Sequence, residues 1–269
     1  MPRIDRGGTS QTISNGDETI LIDCGPLTVL RLLESGIDPK TLEHLFFTHH
    51  HIDHNADFFE FLLGSWSYGR ERLTVYGPSG TAEFLEGFYE LYEEDIEYRK
   101  WFAASDDGIE NINAVQTTEE LSVSTDGVSI TALPVEHSIE TYAYRFEEPS
   151  TGKSCVISGD TRRIPELAEF ASDADVLVQD CCIGPPADDS NESHQADEQR
   201  PSRDERMRKH KQNHCDPEDA GWLASTAGVD QLVLTHLLPD RDLAVLRSRA
   251  EDAFDGEVVV AEDGMEIDF

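Results

Sequence analysis

The stretch Thr48-His49-His50-His51-Ile52-Asp53-His54 constrains this chain more than any other. Its pattern is His-x-His-x-Asp-His, met by His49, His51, Asp53 and His54. The apolar run Leu45-Phe46-Phe47 ahead of it reads as the end of a buried strand. Imidazoles and a carboxylate packed this densely suit Zn²⁺ or another borderline first-row cation. A strand that stops and becomes such a loop holds ligands rigidly and leaves coordination positions open. Alternate residues of an extended loop face opposite sides, which turns His50 away from the side that His49 and His51 share.

Three further apolar strands end in a potential ligand. Leu133-Pro134-Val135 leads to His137, Val156-Ile157-Ser158 to Asp160, and Leu232-Val233-Leu234 to His236. If these ends lie at one sheet edge with the histidine loop, the set suffices for two metal ions with positions left for water.

Strand and helix patterns alternate between these points. Residues 7–14 and 18–22 flank the turn Asn15-Gly16-Asp17 as a hairpin. Residues 27–35 have helical spacing through Leu27, Leu30 and Leu33, stopped by Gly36. Residues 57–64 are apolar on most sides and read as a buried helix. Residues 81–92 form a helix with Phe84, Leu85, Phe88 and Leu91 inward. Residues 93–113 are an acidic helical excursion carrying Tyr98, Trp101 and Phe102, placed to overhang a site or meet another subunit. A hairpin about Asp126-Gly127, a strand over 176–179, and helices over 165–172, 217–227 and 242–254 follow. Asp216 is placed to cap the second of these helices. Strands at 257–260 and 265–269 are expected to close the chain as a hairpin. The length suits one domain over residues 1–269.

Residues 184–211 stand apart as a polar insert with Pro185, Pro186 and Pro201. Arg200, Arg203, Arg206, Arg208, Lys209 and Lys211 cluster at its end. The insert reads as a solvated loop, or as a basic lid beside His214 that closes over an anionic substrate. His44, His194 and His210 read as surface histidines.

The net charge of −34, from 55 acidic against 21 basic residues, narrows the partners. Acid spread along a folded chain is the pattern of a protein adapted to high salt, where ions screen self-repulsion. The same charge disfavours nucleic acid, whose phosphate backbone it would repel. Cys24, Cys155, Cys181, Cys182 and Cys215 are odd in number and show no zinc-ribbon or Cys-x-x-Cys spacing, so reduced thiols are expected. No apolar run is long enough for a membrane span. The start, Met1-Pro2-Arg3-Ile4-Asp5-Arg6, has no apolar signal segment, and a cytoplasmic setting is the expectation.

Together Leu21-Ile22-Asp23-Cys24-Gly25, Thr48 to His54, Val135-Glu136-His137-Ser138, Ser158-Gly159-Asp160-Thr161 and Leu234-Thr235-His236 resemble the metallo-β-lactamase fold hydrolases over nearly the whole chain. The resemblance implies an α/β (α+β) fold, a four-layer αβ/βα sandwich of two mixed β-sheets flanked by helices. It implies that His49, His51 and His137 hold one ion, that Asp53, His54 and His236 hold a second, and that Asp160 bridges them. Asp23 is expected to hydrogen-bond the histidine loop rather than to ligate. Ser158-Gly159-Asp160-Thr161-Arg162, Ala174-Asp175-Val176-Leu177-Val178 and Asn213-His214-Cys215-Asp216-Pro217 are most similar to the ribonuclease Z and arylsulfatase-like branch. That likeness makes His214 the residue that binds the scissile group or protonates the leaving oxygen, and makes Asp53 the group that orients the attacking water or accepts its proton.

The chain departs from the branch in three places. It begins too late for the usual opening strand bearing Leu-Gly-Thr-Gly, so a truncated start or a first sheet one strand shorter is expected. The interval from His137 to Asp160 is too short for a tRNA-gripping arm. Residues 184–211 match no familiar segment. The expected activity is hydrolysis of a phosphodiester or related anionic ester by water activated at two divalent metal ions, Zn²⁺ first, with Mn²⁺ or Fe²⁺ accepted by the same ligands. Lactone, thioester or aryl sulfate ester hydrolysis is the alternative on the same centre. tRNA 3′-end processing by a full ribonuclease Z is set back by the missing arm and the charge. A homodimer is an assembly common in the branch.

Overall fold

The computed structural model describes residues 6–16, 18–102, 105–125, 127–185, 203–238 and 241–269. The chain divides into two compact units, one comprising Met1–Ala132, Glu148–Thr151 and Glu262–Asp268, the other Leu133–Glu147, Gly152–Ala261 and Phe269.

In the first unit a five-stranded sheet runs in the order β1 (Gln11–Ser14), β2 (Thr19–Ile22), β3 (His44–Phe46), β4 (Leu73–Gly77), β5 (Ile112–Gln116). β1 and β2 form the expected antiparallel hairpin, with Ile13 opposite Ile20. β2 to β5 are parallel, with Ile22 opposite Phe46 and Phe46 opposite Tyr76. Parallel register brings the carboxyl ends of β2 and β3 to one edge, where the loops after Ile22 and Phe46 begin. The core beneath is Leu21, Leu45, Phe47, Val75 and Leu85 with Phe58, Phe61, Leu62 and Trp66 of α3 (Phe58–Ser67). A hairpin of β6 (Ser122–Thr125) with the start of β7 (Val128–Val135) completes this unit's strands.

Two helices turn differently from their leucine spacing. α1 (Thr28–Glu34) buries Thr28 and Leu32, one turn apart, and exposes Leu30 and Leu33. α4 (Thr81–Lys100) runs on through the segment expected as a separate excursion, with a kink at Tyr92, whose φ and ψ of −108° and 15° leave the helical region. At the kink Tyr92 packs on Phe59 and Phe88, and Leu91, expected inward, is exposed. Beyond it Ile96 is buried, and Tyr98, Trp101 and Phe102 are exposed.

The second unit carries β8 (Thr141–Glu148, up to Glu147), β9 (Lys153–Ile157), β10 (Val176–Asp180), β11 (Gln231–Thr235) and β12 (Glu257–Val260), in the order β12-β11-β10-β9-β8. β9 to β12 are parallel, with Ile157 opposite Val178 and Asp180 opposite Thr235. Their apolar residues pack with α6 (Pro165–Phe170), α8 (Pro217–Ala227) and α9 (Leu243–Glu251). Asp216 caps α8 as expected, accepting from Asp219 N at 2.9 Å. α7 (Arg203–His210) makes the end of the polar insert helical. Residues 186–202 of the insert, with Arg200 and His194, lie outside the described residues.

The expected closing hairpin is absent among the described residues. β12 pairs with β11, and residues 265–269 form no strand. Asp263 instead accepts from Gly7 N at 2.7 Å and Arg31 Nε at 2.8 Å within the first unit. No described helix is long and apolar enough to cross a membrane.

All five cysteines are free and buried. Burial pushes the thiols of Cys24, Cys181 and Cys215 well above their ordinary value of 9.0, that of Cys155 up to about 12, and that of Cys182 upward. A folded value above the unfolded one contributes stability that is fully present below about pH 9 and is lost as pH rises through the raised values. Urea unfolding at stepped pH should therefore show stability falling above pH 9, with iodoacetamide labelling the native chain far more slowly than the unfolded one at pH 8. Equal labelling rates would contradict the burial.

Candidate metal centre

In the first unit the histidine loop is organised by Asp23. β2 ends one residue before it, and Asp23 adopts a left-handed φ of 58° while its N–H donates to Phe46 O at 2.8 Å. A non-glycine residue in this conformation is costly and persists where surrounding contacts hold it. The carboxylate, 1 % exposed, accepts from Thr48 N at 2.8 Å, Thr48 Oγ1 at 2.9 Å and His54 Nδ1 at 2.7 Å. Asp23 thus keeps the His54 proton on Nδ1 by accepting its hydrogen bond and leaves the metal-binding lone pair on Nε2. Thr48 spends its hydroxyl proton on Asp23, so it accepts from His49 Nδ1, 3.0 Å away, which leaves the His49 lone pair on Nε2 as well.

Backbone contacts close the same loop. Cys24 N donates to His54 O at 2.7 Å, and Thr9 N to Asp53 O at 3.1 Å. A Cβ at Gly25 would sit 2.1 Å from Asp53 O, so only glycine fits under the loop. His49 Nε2 and His51 Nδ1 lie 3.0 Å apart, close enough to share one cation. His50 faces elsewhere: its Nε2 meets Thr81 Oγ1 at 2.9 Å, and its ring packs on Phe47 and Phe84. Asp53 and His54 sit on α2 (Ile52–Asn55), a single turn that follows His51.

In the second unit parallel register does the corresponding work. β9 leads to Asp160, β10 ends in Asp180, and β11 leads to His236, whose φ of 54° is also left-handed. Ligand atoms of Asp160, Asp180, His214 and His236 lie within 4.8 Å of one another. His236 Nε2 is 3.3 Å from Asp160 Oδ2. His137 Nδ1 donates to Asn213 O at 3.1 Å, which directs Nε2 toward Asp160 Oδ2 at 3.9 Å. His214 Nδ1 bonds Asp180 Oδ2 at 2.8 Å, and its ring stacks on His236 with centroids 5.4 Å apart. His214 is therefore held by a carboxylate beside Asp160, while the cap of α8 falls to Asp216.

Asp180 is the residue that sequence reasoning missed. It is 1 % exposed and accepts from Thr161 N at 3.2 Å and Cys182 N at 3.0 Å in addition to His214. Its Oδ1 lies 3.3 Å from His236 Nδ1. The signal was available, since Val176-Leu177-Val178-Gln179 is another apolar strand that ends in a carboxylate. His210 also departs from its reading as a surface histidine. It is half-buried, with its ring 5.8 Å from that of His214. His44 opens β3 and meets Glu18 at 3.3 Å. In the basic segment Lys211 is paired with Asp216 and Asp219, and Lys209 with Glu205, while Arg208 and Lys211 help to line a cleft of about 390 Å³ with Ile183, Met207 and Gln212.

The second unit thus presents a His/Asp set of the kind that binds divalent metal ions, and the first presents the histidine loop, with the tautomers of His49, His54 and His137 fixed by outer hydrogen bonds. Residues 18–237 match the family model described as the β-lactamase superfamily domain. The ribonuclease Z of Mycobacterium sp. (strain KMS) is 29% identical over 269 residues, covering 98% of this chain and 90% of that protein. The metallo-β-lactamase fold protein YhfI from Bacillus subtilis superposes with a TM-score of 0.75 at 22% identity, over 98% of this chain and 92% of that one. Human tRNase Z, short form, gives a TM-score of 0.70 at 21% identity, over 98% of this chain and 93% of that one. The fold expected from sequence, two mixed sheets with helices in the metallo-β-lactamase manner, is the fold found.

Replacing Asp23 by alanine leaves three buried donors without their acceptor. Asp23→Ala should lower the unfolding free energy by about 3 kcal/mol or more and weaken Zn²⁺ binding by about 10–100-fold. Urea denaturation and competitive chelator titration measure both. A loss under about 0.5 kcal/mol with unchanged affinity would show that the loop is held by other means.

Proposed function

The chain belongs to the β-lactamase superfamily domain family, and on that premise we propose that this metallo-β-lactamase fold hydrolase cleaves phosphodiesters or related anionic esters with two divalent ions. Following the family pattern residue by residue, His49, His51 and His137 would hold one ion, Asp53, His54 and His236 the other, and Asp160 would serve both. The joining of the two sets rests on that pattern. The fixed tautomers of His54, His49 and His137 fit it, because each directs Nε2 to a ligand role. When bound, the ions activate a water and take up charge on the ester oxygens; Zn²⁺, Mn²⁺ and Fe²⁺ all suit the donors.

The observation that carries the choice of substrate class is the Asp180–His214 bond of 2.8 Å beside Asp160. Asp180 holds His214 through Nδ1, so Nε2 is the nitrogen that hands a proton to a departing oxygen. Such a donor matters most where the leaving oxygen is a poor one, as in a sugar hydroxyl. Asp53 orients the attacking water or accepts its proton. An RNA 3′ end is one phosphodiester substrate of this kind, and the relative named ribonuclease Z favours it, against the charge of −34. Lactone, thioester and aryl sulfate esters remain the alternative. The odd number of cysteines, without Cys-x-x-Cys spacing, fits a reducing, cytoplasmic setting, and the acidic composition fits activity in high salt.

Substrates that differ in leaving group test this reading. His214→Ala should slow hydrolysis of a dinucleotide or tRNA precursor by about 10²–10⁴-fold and that of bis-p-nitrophenyl phosphate, whose leaving group needs no proton, far less. Turnover of the wild-type chain should rise from low to multimolar KCl. Equal losses on both substrates would remove His214 as proton donor. A lactone or aryl sulfate hydrolysed faster than either phosphodiester would move the chain to the alternative class, and flat salt dependence would remove the salt-adapted reading.

A further inference from the structure

A second group of metal-binding side chains lies in the second unit, and the hydrolytic assignment leaves two of its members unused. Ligand atoms of Cys182, His210 and His214 lie within 4.8 Å of one another. Cys182 follows β10 by two residues, is 1 % exposed, and is fixed by its N–H, which donates to Asp180 Oδ1 at 3.0 Å. His210 ends α7, and His214 N–H donates to His210 O at 2.9 Å. That helical bond places the two imidazoles one turn apart on one side of the chain. A thiol with two imidazoles is a different donor set from the carboxylates and imidazoles around Asp160. It favours borderline and soft ions, Zn²⁺, Co²⁺ or Cu⁺, over Mn²⁺ or Mg²⁺.

We propose that Cys182, His210 and His214 form an additional, inhibitory metal site that takes Zn²⁺ or a similar thiophilic ion when it is in excess. Binding releases the Cys182 thiol proton to solvent and forms one sulfur–metal and two nitrogen–metal bonds. The ion occupies His214, which hydrolysis uses as a proton donor, so the site switches turnover off while the main ligands stay loaded. His210 and Cys182 then have a role that the hydrolytic centre does not give them. The inhibition rests on the proposed function, whereas the site itself does not.

Cobalt spectroscopy tests the site on the reduced, full-length chain. Titration of the metal-stripped protein with Co²⁺ should produce a sulfur-to-cobalt charge-transfer absorption. Cys182→Ser should abolish it and Cys155→Ser should keep it. His210→Ala should weaken the Co²⁺ affinity that this band reports by at least the roughly 10–100-fold that an outer-shell partner is worth. Since His236 also acts on the Cys182 thiol, the His210 variant distinguishes this site from a thiol recruited to the hydrolytic centre. No charge-transfer band in the saturated wild-type chain, or a band indifferent to Cys182→Ser or His210→Ala, overturns the site. With a phosphodiester substrate, excess Zn²⁺ should inhibit the wild-type chain and leave both variants active at their basal rate; equal inhibition of all three overturns the switch. A chain with the Cys182-dependent band and no hydrolysis of any ester keeps the site and defeats the proposed function.

Discussion

A buried carboxylate is costly unless donors surround it, and each unit of this chain is organised by one such group. Asp23 gathers Thr48 and His54 about itself in the first unit, and Asp180 gathers Thr161, Cys182 and His214 in the second. Both stand at the carboxyl end of a parallel strand, where the chain leaves the sheet and its backbone donors become available. Asp23 bonds the outer nitrogen of His54, and Asp180 lies beside Asp160 and His236 and bonds His214. They cost desolvation, and they return orientation: imidazoles that would rotate or tautomerise in solution are held with one nitrogen committed.

The strand order explains why such groups meet. Parallel strands send their ends to one edge, and the register of β10 with β11 sets Asp180 opposite Thr235, one residue from His236. The register of β2 with β3 sets Ile22 opposite Phe46, so Asp23 and the histidine loop start from adjacent strand ends. Local strain is accepted at these points. Asp23 and His236 both hold left-handed backbone, which ordinary residues adopt only where neighbours over-determine them.

Much of this was legible in the sequence, because a short apolar run followed by a histidine or aspartate is visible without coordinates. His137, Asp160 and His236 each follow such a run, and Leu21-Ile22-Asp23-Cys24-Gly25 carries both the anchor and the glycine that lets Asp53 O approach. Asp180 was missed because it completes its strand directly, where the other candidates follow theirs by one residue or more. His210 was missed because its segment is polar and basic, a composition that describes solvated loops and helix ends alike. Leu91 faces out for a different reason. Leucine spacing marks a helix face, but the backbone at Leu27 and the kink at Tyr92 decide which face turns inward. Where the closing hairpin was expected, Asp263 accepts from Gly7 and Arg31 and residues 265–269 form no strand.

The central claim is that the chain hydrolyses a phosphodiester only when its His/Asp sets hold metal. Turnover of bis-p-nitrophenyl phosphate by the chain stripped with a chelator, then returned stepwise to Zn²⁺ or Mn²⁺, tests it most directly. Turnover should vanish on stripping and return as two ions per chain are bound, before any excess of Zn²⁺. Hydrolysis that survives complete removal of metal, or a chain that binds two ions and stays inactive, would contradict it.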